Sequence, residues 1–255
     1  MRSTPLIVKD LVISYGDKIA VNKVSFKVDM GEMYCLLGPN GAGKSSTLKA
    51  VVGIIDRYEG EVLIYGRSPR DDKHVKNLIG YVPEEPIVPE ALTPRAIIEF
   101  TSSIRGIDKA SLNNKLGKLI NSFSFEECLE TPVFALSRGN KQKLLIMLAL
   151  LHDPKLLVLD EPFTGLDTFS ARVLKEYLKH HVSKNNAILL STHIMEIAEK
   201  ICDRIGIIDR GVLIAEGGIN ELAEMSKSRG SLEDLFLRLT KRDEWVREIA
   251  KVLEE

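Results

Sequence analysis

The sequence predicts an α/β fold: a buried, mostly parallel sheet, preceded by an antiparallel hairpin, interrupted by a block of helices and followed by a short helical tail. Three observations carry this expectation. Short apolar runs recur at 34–37, 156–159, 187–190 and 205–208, each closed by turn or helix signals, as in strands buried on both faces. A Gly-rich loop joins the first of these runs to a helical stretch at 44–52. Between 89 and 152, strand signals give way to helical periodicity.

Taken in order, residues 6–15 and 19–28 alternate polar with apolar and are rich in β-branched side chains, and Gly16-Asp17 between them predicts a hairpin. The 34–37 run, the Gly-rich loop and the helix open a nucleotide-binding core. In the helical block, Thr93-Pro94 reads as an N-cap and first-turn pair. After Gly217-Gly218 come short charged helices, among them Ser231-Leu232-Glu233-Asp234 with a capping signature. A last helix carries Trp245, Ile249 and Val252 at three-to-four spacing and reads as packing. The expected organisation is a domain over 1–217, with a helical subdomain at about 89–152, and a helical appendage over 218–255.

With 255 residues, 44% of them hydrophobic, the chain can bury a sizeable core. Lys plus Arg (35) nearly balance Asp plus Glu (36), so no global positive field gathers nucleic acid or anionic lipid. Cys35, Cys128 and Cys202 form no CxxC pair and read as reduced thiols of a cytosolic protein. Residues 1–10 lack a long apolar signal region. The most apolar stretch, 144–151, is far shorter than the ~20 residues a membrane-spanning helix needs.

Residues Gly38-Pro39-Asn40-Gly41-Ala42-Gly43-Lys44-Ser45 match G-x-x-x-x-G-K-[ST], with Ser46 next on the helix. Glycines let backbone N–H groups close around phosphate oxygens, and the helix N-terminus adds about half a positive charge. Lys44 is expected to reach the β- and γ-phosphates, and Ser45 to bind Mg²⁺. Asp160 and Glu161 end the 156–159 run, where a parallel sheet presents ligand-binding groups. Asp160 is expected to hold Mg²⁺ through its hydration shell, and Glu161, directed differently, to polarise the attacking water.

Phosphate loops are shared by kinases, GTPases, helicases and transporters, so these two motifs leave the machine open. Leu136-Ser137-Arg138-Gly139-Asn140-Lys141-Gln142, about twenty residues before the carboxylate pair, resembles the LSGGQ signature of ABC (ATP-binding cassette) proteins. Thr164-Gly165-Leu166-Asp167 resembles their D-loop, Ser191-Thr192-His193 their switch histidine, and Gly80-Tyr81-Val82-Pro83-Glu84 their Q-loop region. Tyr15 matches the aromatic that stacks on adenine. The order agrees across nearly all of residues 4–217.

This resemblance implies a P-loop NTPase (RecA-like) core with an N-terminal antiparallel β subdomain, binding ATP and Mg²⁺. It also implies two cassettes facing head to tail, each ATP held between one phosphate loop and the partner's Ser137, Arg138 and Gly139. Asp167 would organise that interface, His193 contact the γ-phosphate, and Glu84 lie near the metal. Taken singly, Ser137 and Asp167 read equally as helix caps, and His193 as a helix-start residue. The resemblance further implies an integral membrane permease, a peripheral position on the cytoplasmic membrane face, and no nucleic-acid partner. Ile87, Val88, Ala91 and Leu92 either receive a permease helix or pack internally.

The chain departs from the family pattern where Glu84 replaces Gln and where Arg138 and Asn140 replace Gly and Gln. A carboxylate at 84 can bind metal but cannot donate when ionised. Glu84-Glu85-Pro86 and the tail sequence Ser231-Leu232-Glu233-Asp234-Leu235-Phe236 resemble ABC-2 export cassettes. A DNA or translation clamp is disfavoured by the compact insertion and single cassette. A non-hydrolysing scaffold is disfavoured by retention of Lys44, Asp160, Glu161 and His193.

Overall fold

The computed structural model describes residues 4–225 and 232–240. The chain opens with the expected hairpin, β1 (Leu6–Tyr15) and β2 (Lys18–Val28), paired antiparallel around Gly16-Asp17. β3 (Met33–Leu37) runs into the Gly-rich loop and α1 (Lys44–Val51), which stops one residue short of the expected end. A strand absent from the sequence reading, β4 (Glu59–Ile64), then pairs with β1 to complete a three-stranded sheet of order β2-β1-β4. Its first half, Glu59-Gly60-Glu61, is exposed and charged, so it lacks the apolar signal of a strand.

The main sheet adds β5 (Ile79–Val82), β6 (Leu156–Asp160), β7 (Ala187–Thr192), β8 (Arg204–Asp209) and β9 (Val212–Gly218). Its order is β5-β6-β7-β3-β8-β9. The first five strands in that order are parallel, and β9 closes the edge antiparallel to β8. The four apolar runs are thus the interior strands. β5 and β9 went unread because one is four residues long and the other is mostly half-exposed at the edge.

Period-two alternation explains why the interior strands are apolar throughout. Met33, Cys35 and Leu37 of β3 face a core shared with the helices of the 89–152 block, while Tyr34 and Leu36 face one shared with β1, β2 and α1. On β6, Leu157 and Leu159 take the helical side, and Leu156 and Val158 the side of α1. Each face is covered, so neither tolerates a polar residue until the strand ends.

The helical block holds α2 (Pro94–Ile104), α3 (Lys109–Phe123) and α4 (Arg138–Leu150). α2 is capped as expected, the Thr93 hydroxyl accepting from the Ala96 N–H at 3.3 Å. Beyond β6 come α5 (Thr168–Ser183), α6 (Met195–Ile201), α7 (Ile219–Met225) and α8 (Leu232–Leu239). Leu232, Leu235 and Phe236 of α8 are buried in the helical-side core, and the Leu232 N–H donates to Glu199 at 2.9 Å. Ser231 of the capping signature and the helix around Trp245, Ile249 and Val252 lie outside the described residues. Among the described residues, no helix is long and apolar enough to cross a membrane.

Candidate nucleotide site

The phosphate loop sits between the C-terminal end of β3 and the start of α1, where the parallel sheet leaves backbone ends unpaired. Gly43, the N-cap of α1, has φ +106°, and a Cβ there would lie 2.5 Å from the Ala20 carbonyl. Only glycine meets both demands. α1 begins without a side-chain cap, so its first-turn N–H groups remain donors for an anion. The Gly38 N–H donates to the Thr192 carbonyl at 3.2 Å and ties the loop to β7.

Lys44 is buried beneath the loop. Its Nζ donates to the Gly38 and Pro39 carbonyls at 2.8 and 3.2 Å and lies 3.4 Å from Glu161 Oε1. Glu161 is 4% exposed and is the junction of the site. Oε1 also accepts from His193 Nδ1 at 2.9 Å, so that nitrogen carries the proton, and Oε2 accepts from the Thr192 hydroxyl at 3.2 Å. The Glu161 backbone has φ +47°, left-handed for a residue with a Cβ, which costs on the order of 1–3 kcal/mol. That turn ends the strand alternation, so neighbouring carboxylates reach different partners.

Asp160 is almost fully buried. One carboxylate oxygen accepts from the Ser191 hydroxyl, and the other, Oδ2, has no partner. Burial raises this carboxyl above the usual carboxylate range, opposed by the hydrogen bond from Ser191. Ser45 Oγ in turn donates to Glu84 Oε2 at 3.4 Å. An orphaned buried carboxylate oxygen beside a hydroxyl and a second carboxylate suits a hard cation. Among the described residues, no three His, Cys, Asp or Glu side chains cluster closely enough to hold a metal unaided. The donor set therefore fits Mg²⁺ shared with substrate phosphates, and not a closed protein cage.

In front of these groups lies a cleft of about 500 Å³, lined by Tyr15, Asn40, Gly41, Gly43, Lys44, Ser45, Ser46 and Glu84 among others. Tyr15 stands half-exposed at its mouth, with its hydroxyl 3.2 Å from Ser46 Oγ. Ala42 lies buried behind the loop, its carbonyl accepting from the Gly211 N–H at 2.9 Å. Lys18, Ile19 and Arg210 also line the cleft and were missed in the sequence. Arg210 sits at φ +48° in the turn between β8 and β9, and its only sequence signal is an Asp-Arg-Gly turn after an apolar run.

Ser137, Arg138, Gly139 and Asp167 do not line this cleft. They form a separate surface where α4 meets the loop after β6. Ser137 caps α4, accepting from the Asn140 N–H at 3.2 Å, and Gly139 is pressed so close that a Cβ would lie 2.6 Å from the Gly165 carbonyl. Gln142, buried, donates to the Pro162 carbonyl at 3.3 Å. Asp167 caps α5 through the Ser170 N–H at 2.8 Å and pairs with Lys143 at 2.9 Å. The Ser170 hydrogen bond and then the Lys143 cation hold its carboxyl well below the usual range. The cap readings of Ser137 and Asp167 thus hold within the single chain.

The family model for ABC transporters matches residues 21–164. The chain is 35% identical over 240 residues to the ABC-type transporter ATP-binding protein EcsA of Bacillus subtilis, covering 93% of this chain and 97% of that protein. It is 36% identical over 225 residues to a Nod factor export ATP-binding protein I of Burkholderia orbicola, covering 88% of this chain and 74% of that one. A solved ATP-binding subunit of an ABC transporter superposes with a TM-score of 0.88 at 36% identity, covering 93% of this chain and 100% of the other. A capless helix under a glycine loop, a buried lysine and two divergent carboxylates, in a chain that superposes over nearly its whole length on a solved ATP-binding subunit, make this chain a member of the ABC transporter family, as its ATP-binding and ATP-hydrolysing subunit.

Proposed function

We propose that ATP lies in the cleft in front of α1 with its adenine against Tyr15 and its phosphates under residues 38–46, and that Glu161 is the general base for hydrolysis. The junction of Lys44, Glu161 and His193 carries this reading, because it sets a cation and an imidazole within 3.4 Å of one carboxylate oxygen. Ser45 and Asp160 would hold Mg²⁺, with Glu84 beside them. When bound, that ion neutralises phosphate charge as the terminal bond breaks. Lys44 leaves the loop carbonyls for the β- and γ-phosphates. Glu161 draws a proton from the attacking water, and His193, its Nδ1–H committed to Glu161, offers Nε2 toward the γ-phosphate.

The surface of Ser137, Arg138, Gly139 and Asp167 serves a second cassette in this reading. Ser137 presents the N-terminus of α4 to the γ-phosphate bound by the partner, and Arg138 supplies a cation in place of the flexible glycine. Cleaving the γ-phosphate removes the attraction and reopens the pair. Ile87, Ala91 and Leu92 are exposed and fit a cytoplasmic helix of a membrane permease, while Val88 packs partly against the core. The chain is thereby peripheral on the cytoplasmic face. Two features support export: the acidic Glu84-Glu85-Pro86 sequence and the likeness to a Nod factor export protein. We keep 1–217 as the cassette, with its helical part at about 89–152, and 218–255 as the appendage.

Calorimetry of Mg-ATP binding tests the site. The wild type is expected to bind and the Lys44→Ala protein to lose most of its affinity; equal affinity in the two overturns the assignment.

A further inference from the structure

A second cavity, of about 1030 Å³, lies away from the nucleotide cleft. Its wall includes Pro154 and Lys155, which lead into β6, and Asn186, which leads into β7. The nucleotide groups Asp160 and His193 lie at the other ends of those strands, about 16 Å away for a five-residue strand at roughly 3.3 Å per residue.

The chain as a whole is nearly neutral, yet this cavity is strongly basic. Arg105 follows α2, Lys115 and Lys118 stand on α3, Lys155 precedes β6, and Lys184 follows α5. Asp153 is the one carboxylate in the lining, and it pairs with Lys115. Among the described residues, Lys118, Lys155 and Lys184 have no carboxylate partner. Five cations from four parts of the chain converge on one acid, which like-charge repulsion opposes unless something anionic is bound.

Two imidazoles point the same way. His181, on α5, is 5% exposed, and its Nε2 has no hydrogen-bond partner. Its ring stacks on Tyr177, centroids 6.1 Å apart. His152 donates from Nε2 to the Ile79 carbonyl at 2.9 Å, and its Nδ1 is buried without a partner. Burial and the neighbouring cations pull both histidines down to about 4, so each is neutral and keeps one buried nitrogen without a partner beside the cavity. Buried polar atoms of a structural core are normally satisfied. An anion bound among the lysines offsets the neighbouring cations that lower both rings, and so favours their protonated, donating form.

We propose that this cavity is a second anion site, which takes a small soluble phosphate compound of more than one negative charge, a polyphosphate or a phosphorylated metabolite, held by Arg105, Lys115, Lys118, Lys155 and Lys184 with His181. Its volume is that of small-molecule sites, and the apolar side chains of Leu119, Leu151 and Tyr177 give it an organic wall beside the charge. A monovalent ion leaves most of the charge uncompensated. The concave shape suits a soluble ligand better than a bilayer surface.

The test is a calorimetric titration of inorganic tripolyphosphate into Lys44→Ala protein, in which the nucleotide cleft is silenced. The same titration follows with Lys118→Glu and Lys184→Glu added. Both lysines are exposed, and thermal melting checks that the fold persists. We expect one equivalent bound in the first protein, with a shift of the His181 ring resonances, and at least about tenfold weaker binding after the two reversals. If the double reversal fails to fold, Lys118→Gln and Lys184→Gln, taken singly, are each expected to weaken binding by about threefold. No binding by the Lys44→Ala protein, binding indifferent to these substitutions, or binding confined to phosphatidic acid vesicles overturns the proposal. The Mg-ATP titration of the wild type is unaffected by any of these outcomes.

Discussion

Glu161 Oε1 accepts the Nδ1 proton of His193 at 2.9 Å, a bond made across the ends of two neighbouring parallel strands, β6 and β7. Removing the imidazole frees the carboxylate to rotate and takes away the group facing the γ-phosphate. His193→Ala is expected to lower ATP turnover by about 10²-fold while Mg-ATP affinity stays within a few fold. Turnover and calorimetry on the same protein check both halves.

Ser137 caps α4 within the chain and is proposed to meet phosphate across an interface, and one substitution separates these roles. Ser137→Asp keeps a good cap but sets a negative charge where the phosphate would lie. The thermal midpoint is expected to stay within about 2 °C, and ATPase activity of the assembled transporter to fall at least about tenfold. A protein that melts alike and still hydrolyses ATP leaves Ser137 as a cap alone.

Gly139 has no room for a side chain. A Cβ 2.6 Å from the Gly165 carbonyl forces α4 away from the loop after β6. Gly139→Val is expected to destabilise by about 1–3 kcal/mol and to reduce turnover, and denaturant melts with an ATPase assay measure both.

Asp167 is held ionised by the Ser170 N–H and by Lys143. Its folded pKa lies below its unfolded value, so its stabilisation is present above about 3.9 and is lost as the pH falls through the folded pKa. Asp167→Asn keeps a cap and loses the ion pair. Its urea midpoint is expected below that of the wild type at pH 7, with the two converging in acid.

Ala91 lies in the exposed segment proposed to receive the permease. Ala91→Glu is expected to abolish co-purification with the membrane subunit and to leave Mg-ATP binding by the isolated chain unchanged. Normal assembly and ATPase activity contradict that docking face.

What was readable in the sequence follows burial and local chemistry. β3, β6, β7 and β8 are buried on both faces, so each appears as an unbroken apolar run, and the phosphate loop is readable because its glycines answer to backbone geometry. β4, β5 and β9 are edge, short or charged strands whose pairing is decided by partners far along the chain. The pairing of Glu161 with Lys44 and His193 was unreadable for the same reason: residue types and strand ends were visible, but the strand order that sets β6 beside β7 was not. Arg210 entered the cleft through a two-strand turn with no motif of its own. The basic cavity depends on four separated segments converging, which a near-neutral composition conceals.

Sedimentation velocity of the Glu161→Gln protein, with and without ATP and Mg²⁺, addresses the central mechanical claim most directly. With the base removed and the site otherwise intact, ATP is expected to convert the monomer to a stable dimer that ADP does not form, with turnover down by about 10²- to 10⁴-fold. A protein that binds Mg-ATP by calorimetry yet sediments as a monomer at every nucleotide concentration contradicts the claim that ATP joins two cassettes.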